Sequence, residues 1–117
     1  MNAILIKAKD EISPVLIGDD TLHGMQELVG GYIEIVRPAH LRRPYVMIVN
    51  EDGINLGLPI NNTGSLLYGG PIVGDVLILQ EGFNEDGEPD LLSLGADEAH
   101  NLLDELVRRF PYLDIPA

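Results

Sequence analysis

The sequence predicts an α+β fold, with a mainly antiparallel sheet of five or six strands and two helices packed on one face. Two observations lead to this fold class. Several short apolar runs, bounded by glycine, proline and acidic turn residues, have the length and alternation of strands. Two other segments repeat their apolar residues at helical spacing. A chain of 117 residues fits one compact domain, so we expect a single domain over 1–117.

The chain is organised around a helix, a double glycine and a strand. An N-cap pair at 20–21 precedes apolar residues that recur on one side of segment 22–29. The glycines at 30–31 end this helix, because glycine adopts the left-handed conformation of a helix C-terminus without a Cβ penalty. Over 32–36 the apolar period changes to two, which predicts a strand with one buried face. We expect the helix and the strand to contribute to the same core.

The other strands are predicted from short apolar runs. The first two can pair as a hairpin, and the turn residues at 50–53 predict a second hairpin. Segment 56–64 is expected to be irregular surface chain, and segment 80–90 a mobile acidic loop. The expected strands are 3–8, 15–17, 45–49, 72–79 and 91–93.

The last predicted element is a helix that begins near Asp97 and cannot continue past Pro111. Acidic residues occupy its first turn and two arginines its last, as the helix dipole favours. Its apolar residues keep one face, and we expect that face to pack on the sheet. These residues are Ala99, Leu102, Leu103, Leu106, Val107 and Phe110.

Composition excludes several classes of function. The net charge of −12 argues against direct nucleic-acid binding, which requires a basic surface, and is compatible with a cationic partner or with mimicry of a polyanion. Because the chain has no cysteine, it has no disulfide framework, thiolate metal site or cysteine nucleophile. No apolar run reaches the length of a membrane span, and the N-terminus lacks a cleavable leader. We therefore expect a cytoplasmic protein with no membrane partner.

The candidate ligand-binding residues come mainly from the loop 37–44, which carries three of the seven basic residues. The forked guanidinium groups in this loop could hold a phosphate or a carboxylate. The alternative is that the arginines pair with carboxylates of the protein itself. The candidate set consists of Arg37, His40, Arg42, Arg43 and Asn61.

The sequence also allows an enzymatic reading. A small hydrolase could use Asp75 or Glu34 as a general base, with Asn61 positioning the substrate. The structural alternatives are that Asp75 caps a neighbouring backbone group and that Glu34 faces solvent from a half-buried strand. The histidines are far apart in sequence, so we expect no metal site, and we expect no cofactor.

Four sequence blocks occur in an order typical of one protein family. They are 25–34 (MQELVGGYIE), 50–53 (NEDG), 58–61 (LPIN) and 74–76 (GDV). With this combination the chain resembles an uncharacterised small-domain family of bacteriophages and mobile elements. The resemblance implies an accessory protein in a bacterial host cytoplasm, in some cases near antirestriction functions, and it implies no catalytic residues.

These observations favour a non-enzymatic accessory binding protein that modulates a host defence system by binding a protein or a small anionic ligand. Two mechanisms remain open. An acidic decoy would use segment 81–90 and the start of the last helix to imitate DNA phosphates. A ligand-binding protein would instead hold a nucleotide-like anion through Arg37, Arg42 and Arg43. The oligomeric state is also open, since an uncovered sheet edge and the apolar segment 56–68 are compatible with a homodimer.

Overall fold

The structure is a computed structural model that describes residues 1–116. In this part of the chain six strands form one sheet and three helices pack against it. The strands are β1 (Asn2–Lys7), β2 (Glu11–Leu16), β3 (Ile33–Val36), β4 (Tyr45–Asn50), β5 (Val76–Phe83) and β6 (Pro89–Leu92). The helices are α1 (Thr21–Val29), α2 (Asn62–Tyr68) and α3 (Ala96–Arg109).

The sheet is antiparallel, in the order β2-β1-β5-β4-β3. Strand β5 is longer than its neighbours and pairs with two strands along one of its sides. Its first half pairs with β1, with Ile78 opposite Ile4, and its second half pairs with β6, with Gln80 opposite Leu92. Strands β1 and β6 thus lie on the same side of β5, beside its first and second halves respectively.

Successive residues of the central strands point to opposite faces of the sheet, and both faces are apolar. In β1, Ile4 and Ile6 belong to one core, whereas Ala3 and Leu5 belong to the other. Every residue of β4 is buried. A sheet with two apolar faces must be covered on both, so the fold has three layers.

The helices cover opposite faces, which corrects the prediction that both pack on one face. Helix α1 places Met25 and Val29 against the core that contains Leu5. Helix α3 places Leu102 and Leu106 in the core on the other side of the sheet, where α2 also packs. The α+β class, the antiparallel sheet and the two long helices are confirmed.

Several elements differ from the sequence-based prediction. The strands expected at 15–17 and 72–79 are β2 (Glu11–Leu16) and β5 (Val76–Phe83). The hairpin expected at 50–53 is wrong, because the chain after β4 runs through turns into α2 and not into a paired strand. Helix α2 was not predicted, since it has only seven residues and its Asn61 cap lies in a segment rich in turn residues. Segment 80–90 is partly regular, as β5 continues to Phe83 and β6 begins at Pro89.

Candidate functional site

An open groove of about 790 Å³ lies on the α1 side of the sheet, at the end that contains β6. Helix α1 packs over the part of this face formed by Val46, Leu77 and Leu79 and leaves the next part uncovered. The walls come from β3, from the loop that precedes β4, and from the β5–β6 hairpin. The lining residues are Ile35, Arg37, Arg43, Pro44, Glu81, Gly82, Phe83, Pro89, Asp90 and Leu91.

An ion pair joins Arg37, the residue after β3, to Glu81 in β5. The Nε and Nη2 atoms of Arg37 donate to the two carboxylate oxygens of Glu81 at 3.0 and 2.7 Å. This is the bidentate geometry that suits a guanidinium and a carboxylate. Hydrogen bonding to Arg37 is the main cause that lowers the pKa of Glu81, so the pair is ionised at neutral pH.

Arg43 is a second guanidinium on the groove wall, and its positive charge also lowers the pKa of Glu81. Within residues 1–116 the Arg43 side chain makes no hydrogen bond or ion pair. Asp90, on the hairpin side, uses Oδ1 to accept from the backbone N–H of Leu91 at 2.8 Å. Two guanidinium groups and two carboxylates therefore line the groove.

Exposed apolar side chains lie beside these charges. Phe83 is 70% exposed and Ile35 is 49% exposed. In the β5–β6 ladder Phe83 lies opposite Pro89, and Glu81 lies opposite Leu91. The groove thus combines an apolar end at Phe83 with a charged centre at Glu81, a composition typical of small-molecule sites.

Arg42, the residue next to Arg43, belongs to the other side of the sheet. Its Nη1 atom donates to both carboxylate oxygens of Glu105 in α3, each at 2.9 Å, and its guanidinium lies 5.2 Å from the ring centre of Tyr45. The Tyr45 hydroxyl donates to Oε2 of Glu98 at 3.1 Å. Burial, followed by the negative charge of Glu98, raises the pKa of Tyr45. Arg42 is therefore part of the contact between the sheet and α3.

His40 and Asn61 are also outside the groove. The backbone N–H of His40 donates to the Leu67 carbonyl, and its carbonyl accepts from Nη1 of Arg109, so its backbone connects the loop to α2 and α3. Asn61 is only 1% exposed. Its Oδ1 accepts from Gly64 N–H as the α2 N-cap, and its Nδ2 donates to the carbonyls of Ile6 and Gly74.

Neither of the two alternative general bases, Asp75 or Glu34, lines the groove. Asp75 uses Oδ1 to accept from the backbone N–H of Ala8 at 2.9 Å. Glu34 is exposed on the edge strand β3 and lines a separate depression of about 310 Å³ with Asn50 and Pro71. Within residues 1–116, no group of three or more His, Cys, Asp or Glu side chains could hold a metal ion.

The sequence profile of a family described as a domain of unknown function, DUF3846, matches residues 1–106. The chain belongs to this family. No curated protein matches the chain significantly. Among solved structures, the crystal structure of small RNA methyltransferase HEN1 is similar, with a TM-score of 0.58 and 15% sequence identity. The match covers 87% of this chain and 16% of that chain, and at this identity it shows a shared fold alone.

The DUF3846 match confirms that the chain resembles an uncharacterised family. Of the candidate ligand-binding residues, the structure brings Arg37 and Arg43 into one groove and places the other three outside it. Sequence analysis did not identify Glu81 or Phe83 as groove residues. Their only sequence signal is that Phe83 interrupts an otherwise polar, acidic segment. In the described part of the chain, no helix combines the length and apolar character needed to cross a membrane.

Proposed function

We propose that this DUF3846 domain is a non-enzymatic binding protein that takes a small anionic ligand in the groove at Arg43. The observation that carries the proposal is the difference between neighbouring arginines. Arg42 is paired with Glu105, whereas Arg43 lines an apolar groove and makes no hydrogen bond or ion pair within residues 1–116. A guanidinium in this setting offers a complete set of donors to a ligand.

The electrostatic setting supports an anionic ligand at this place. The whole chain carries 19 acidic and 7 basic residues, so most of its surface repels anions. In the groove the two guanidinium groups balance the two carboxylates, and Arg37 neutralises Glu81 directly. Arg43 is then the group that attracts the ligand. The volume of about 790 Å³ is within the range of roughly 300–1,000 Å³ found for small-molecule sites.

The biological role that we propose takes its setting from the resemblance to an uncharacterised family of bacteriophages and mobile elements. In that setting the protein acts in the cytoplasm of a bacterial host and modulates a defence system by occupying a ligand on which that system depends. Binding alone is sufficient for this role. It requires neither a nucleophile nor a general base, and it is compatible with a compact acidic protein that stays soluble at high concentration.

The acidic-decoy mechanism has less support from the geometry. Two of the carboxylates that it would present are already engaged. Glu81 is paired with Arg37. Glu98 accepts from Tyr45, from Gln80 and from the backbone N–H of Gly95.

The hydrolase alternative has no specific observation in its favour. Asp75 caps the backbone N–H of Ala8, and all the hydrogen-bonding atoms of the Asn61 side chain are used inside the fold. Both N–H donors of Asn61 are used and its side chain is buried, so it is not available to position a substrate.

Native mass spectrometry of the protein purified without unfolding from a bacterial host tests the proposed function. We expect a small mass retained at fixed stoichiometry on the wild type and on Arg42→Gln, and lost on Arg43→Gln. Arg42→Gln is the matched control, because it removes the neighbouring positive charge on the other side of the sheet. Equal retention by both variants, or a wild type without any retained mass, would contradict the proposal.

A further inference from the structure

We propose that the ligand of this groove consists of a planar ring joined by a short spacer to one anionic group, as in a nucleoside monophosphate. This inference rests on the anion-binding function proposed above and specifies the chemical class of the ligand. It follows from two contact surfaces that lie apart along β5: an aromatic surface at Phe83 and a set of guanidinium donors next to Glu81.

The ring surface is at the outer end of the β5–β6 hairpin. Phe83 lies there, 70% exposed, opposite Pro89. An exposed phenyl ring beside a proline gives a flat apolar surface on which a planar ring can stack, and aromatic stacking tolerates any base because every base has a π face. A bare inorganic anion would leave this surface unused and exposed to water.

The anion surface is two residues earlier along β5, at Glu81. The carboxylate of Glu81 takes the Nε and one Nη2 hydrogen of Arg37 and holds that guanidinium in place. The Nη1 group of Arg37 donates to no acceptor within residues 1–116. Together with Arg43 it offers N–H donors to one anionic group, in the geometry that guanidinium groups use for phosphate and carboxylate.

The spacing between the two surfaces defines the spacer of the ligand. Glu81 and Phe83 are on the same face of one strand, so their side chains are about 7 Å apart along the strand axis. The anionic group would bind the guanidinium that Glu81 holds, so a ligand that uses both surfaces spans a distance of this order. A sugar between a base and a single phosphate spans a distance of this order.

A second copy of the chain fits this groove less well than a small anion. Each copy carries a net charge of −12, whereas in the groove two guanidinium groups balance two carboxylates. An approaching copy would bring its acidic surface as well as any docking group. Long-range repulsion of this kind opposes self-association and weakens only with added salt.

Isothermal titration calorimetry with the full chain tests the inference, with adenosine monophosphate, adenosine and inorganic phosphate as probes. We expect adenosine monophosphate to bind at least tenfold more tightly than either of the other two. Phe83→Ala should reduce its affinity to that of phosphate, and Arg43→Gln should reduce it to that of adenosine. Arg42→Gln should leave all three affinities unchanged.

The possible failures are distinguishable. Equal affinities for phosphate and adenosine monophosphate, with no effect of Phe83→Ala, overturn the ring-and-anion inference and leave the proposed anion-binding function standing. Tighter binding of an acidic hexapeptide such as hexaglutamate overturns the inference in favour of a peptide ligand. If neither adenosine monophosphate nor phosphate binds, the inference is wrong. The proposed function is then judged separately by whether native mass spectrometry detects a retained mass that depends on Arg43.

Discussion

Near the start of β4, one face of the sheet is covered by α3 and the other face carries an open groove. On the α3 side, Arg42 and Tyr45 are both engaged by carboxylates of the helix, and the apolar core beneath them is closed. On the α1 side, Arg43 faces a groove in which Phe83 is largely exposed. Consecutive residues of one loop thus contribute to a structural contact and to an open surface.

The surroundings of a residue therefore distinguish a structural role from a binding role more clearly than its residue type does. An arginine whose donors are satisfied by its own protein stabilises the fold, whereas an arginine beside uncovered apolar surface can serve a ligand. The same distinction applies to the other candidate residues. Asn61 is engaged inside the fold, and His40 fastens its loop through backbone contacts. The predictions below test this separation, beginning with the largest expected effect.

Shortening an apolar side chain should lower stability strongly on the α3 side and hardly at all in the groove. Leu106 is fully buried in α3, so Leu106→Ala should lower the free energy of unfolding by about 2–5 kcal/mol through lost burial and a cavity. Phe83→Ala, in the groove, should change it by less than about 0.5 kcal/mol. Urea unfolding at neutral pH measures both values. A similar loss for the two variants would mean that the groove is part of the core.

Asn61→Ala tests whether this residue has a structural role. The substitution removes the cap of α2 and leaves the carbonyls of Ile6 and Gly74 without a buried donor. We expect a loss of about 2–4 kcal/mol in the free energy of unfolding. The neighbouring exposed residue provides the control, since Asn62→Ala should have little effect. Calorimetric affinities of both variants for adenosine monophosphate should equal the wild-type value. Weaker ligand binding by Asn61→Ala, measured under conditions in which the variant is folded, would mean that Asn61 does belong to the ligand site.

Tyr45 should make the stability of the protein depend on pH in the alkaline range. Burial and the charge of Glu98 raise the pKa of Tyr45 in the folded protein above its value of about 10 in the unfolded chain. The unfolded state therefore loses this proton first, and stability should fall as the pH rises above about 10. Tyr45→Phe should lower stability at pH 8 by about 1 kcal/mol, through the lost hydrogen bond to Glu98, and should reduce the alkaline loss. Identical pH profiles from thermal unfolding would contradict this account.

The smallest effects on stability are expected for the two arginines. Arg42→Gln should lower the free energy of unfolding by at most about 1 kcal/mol, because the pair with Glu105 is largely exposed. Arg43→Gln should have no measurable effect, because the Arg43 side chain makes no hydrogen bond or ion pair within residues 1–116. Denaturant midpoints of the two variants, measured side by side, provide the check. The order of the two variants should reverse when ligand binding is measured, and the same order in both assays would remove the distinction between them.

The sequence predicted the elements whose signals are local and repeated. Helix α3 keeps one apolar face over its whole length, and α1 ends at a double glycine whose first member is in the left-handed region, with φ of 81°. Helix α2 escaped prediction because seven residues provide too few repeats to reveal a helical period. The wrong placement of α1 and α3 on one face arose because periodicity identifies the buried side of a helix but not which face of a sheet receives it.

The site was predictable only in part, for a related reason. The basic loop is visible in the sequence, and it contains both guanidinium groups of the groove. The groove itself depends on pairs distant in sequence, since Arg37 and Glu81 are 44 residues apart. Nothing local indicates that Arg42 would meet α3 while Arg43 would meet the groove. That outcome depends on the sheet register, which joins β4 to β5 and β5 to β6.

Nuclear magnetic resonance of the ¹⁵N-labelled protein, titrated with adenosine monophosphate, tests the central claim most directly. Backbone amides of Glu81, Gly82, Phe83 and Leu91 and the Nε–H signal of Arg43 should shift, and those of Glu105 and the Arg42 side chain should not. Shifts confined to this groove would support the assignment of the ligand site. Shifts centred on α3, or an unchanged groove at saturating ligand, would contradict it.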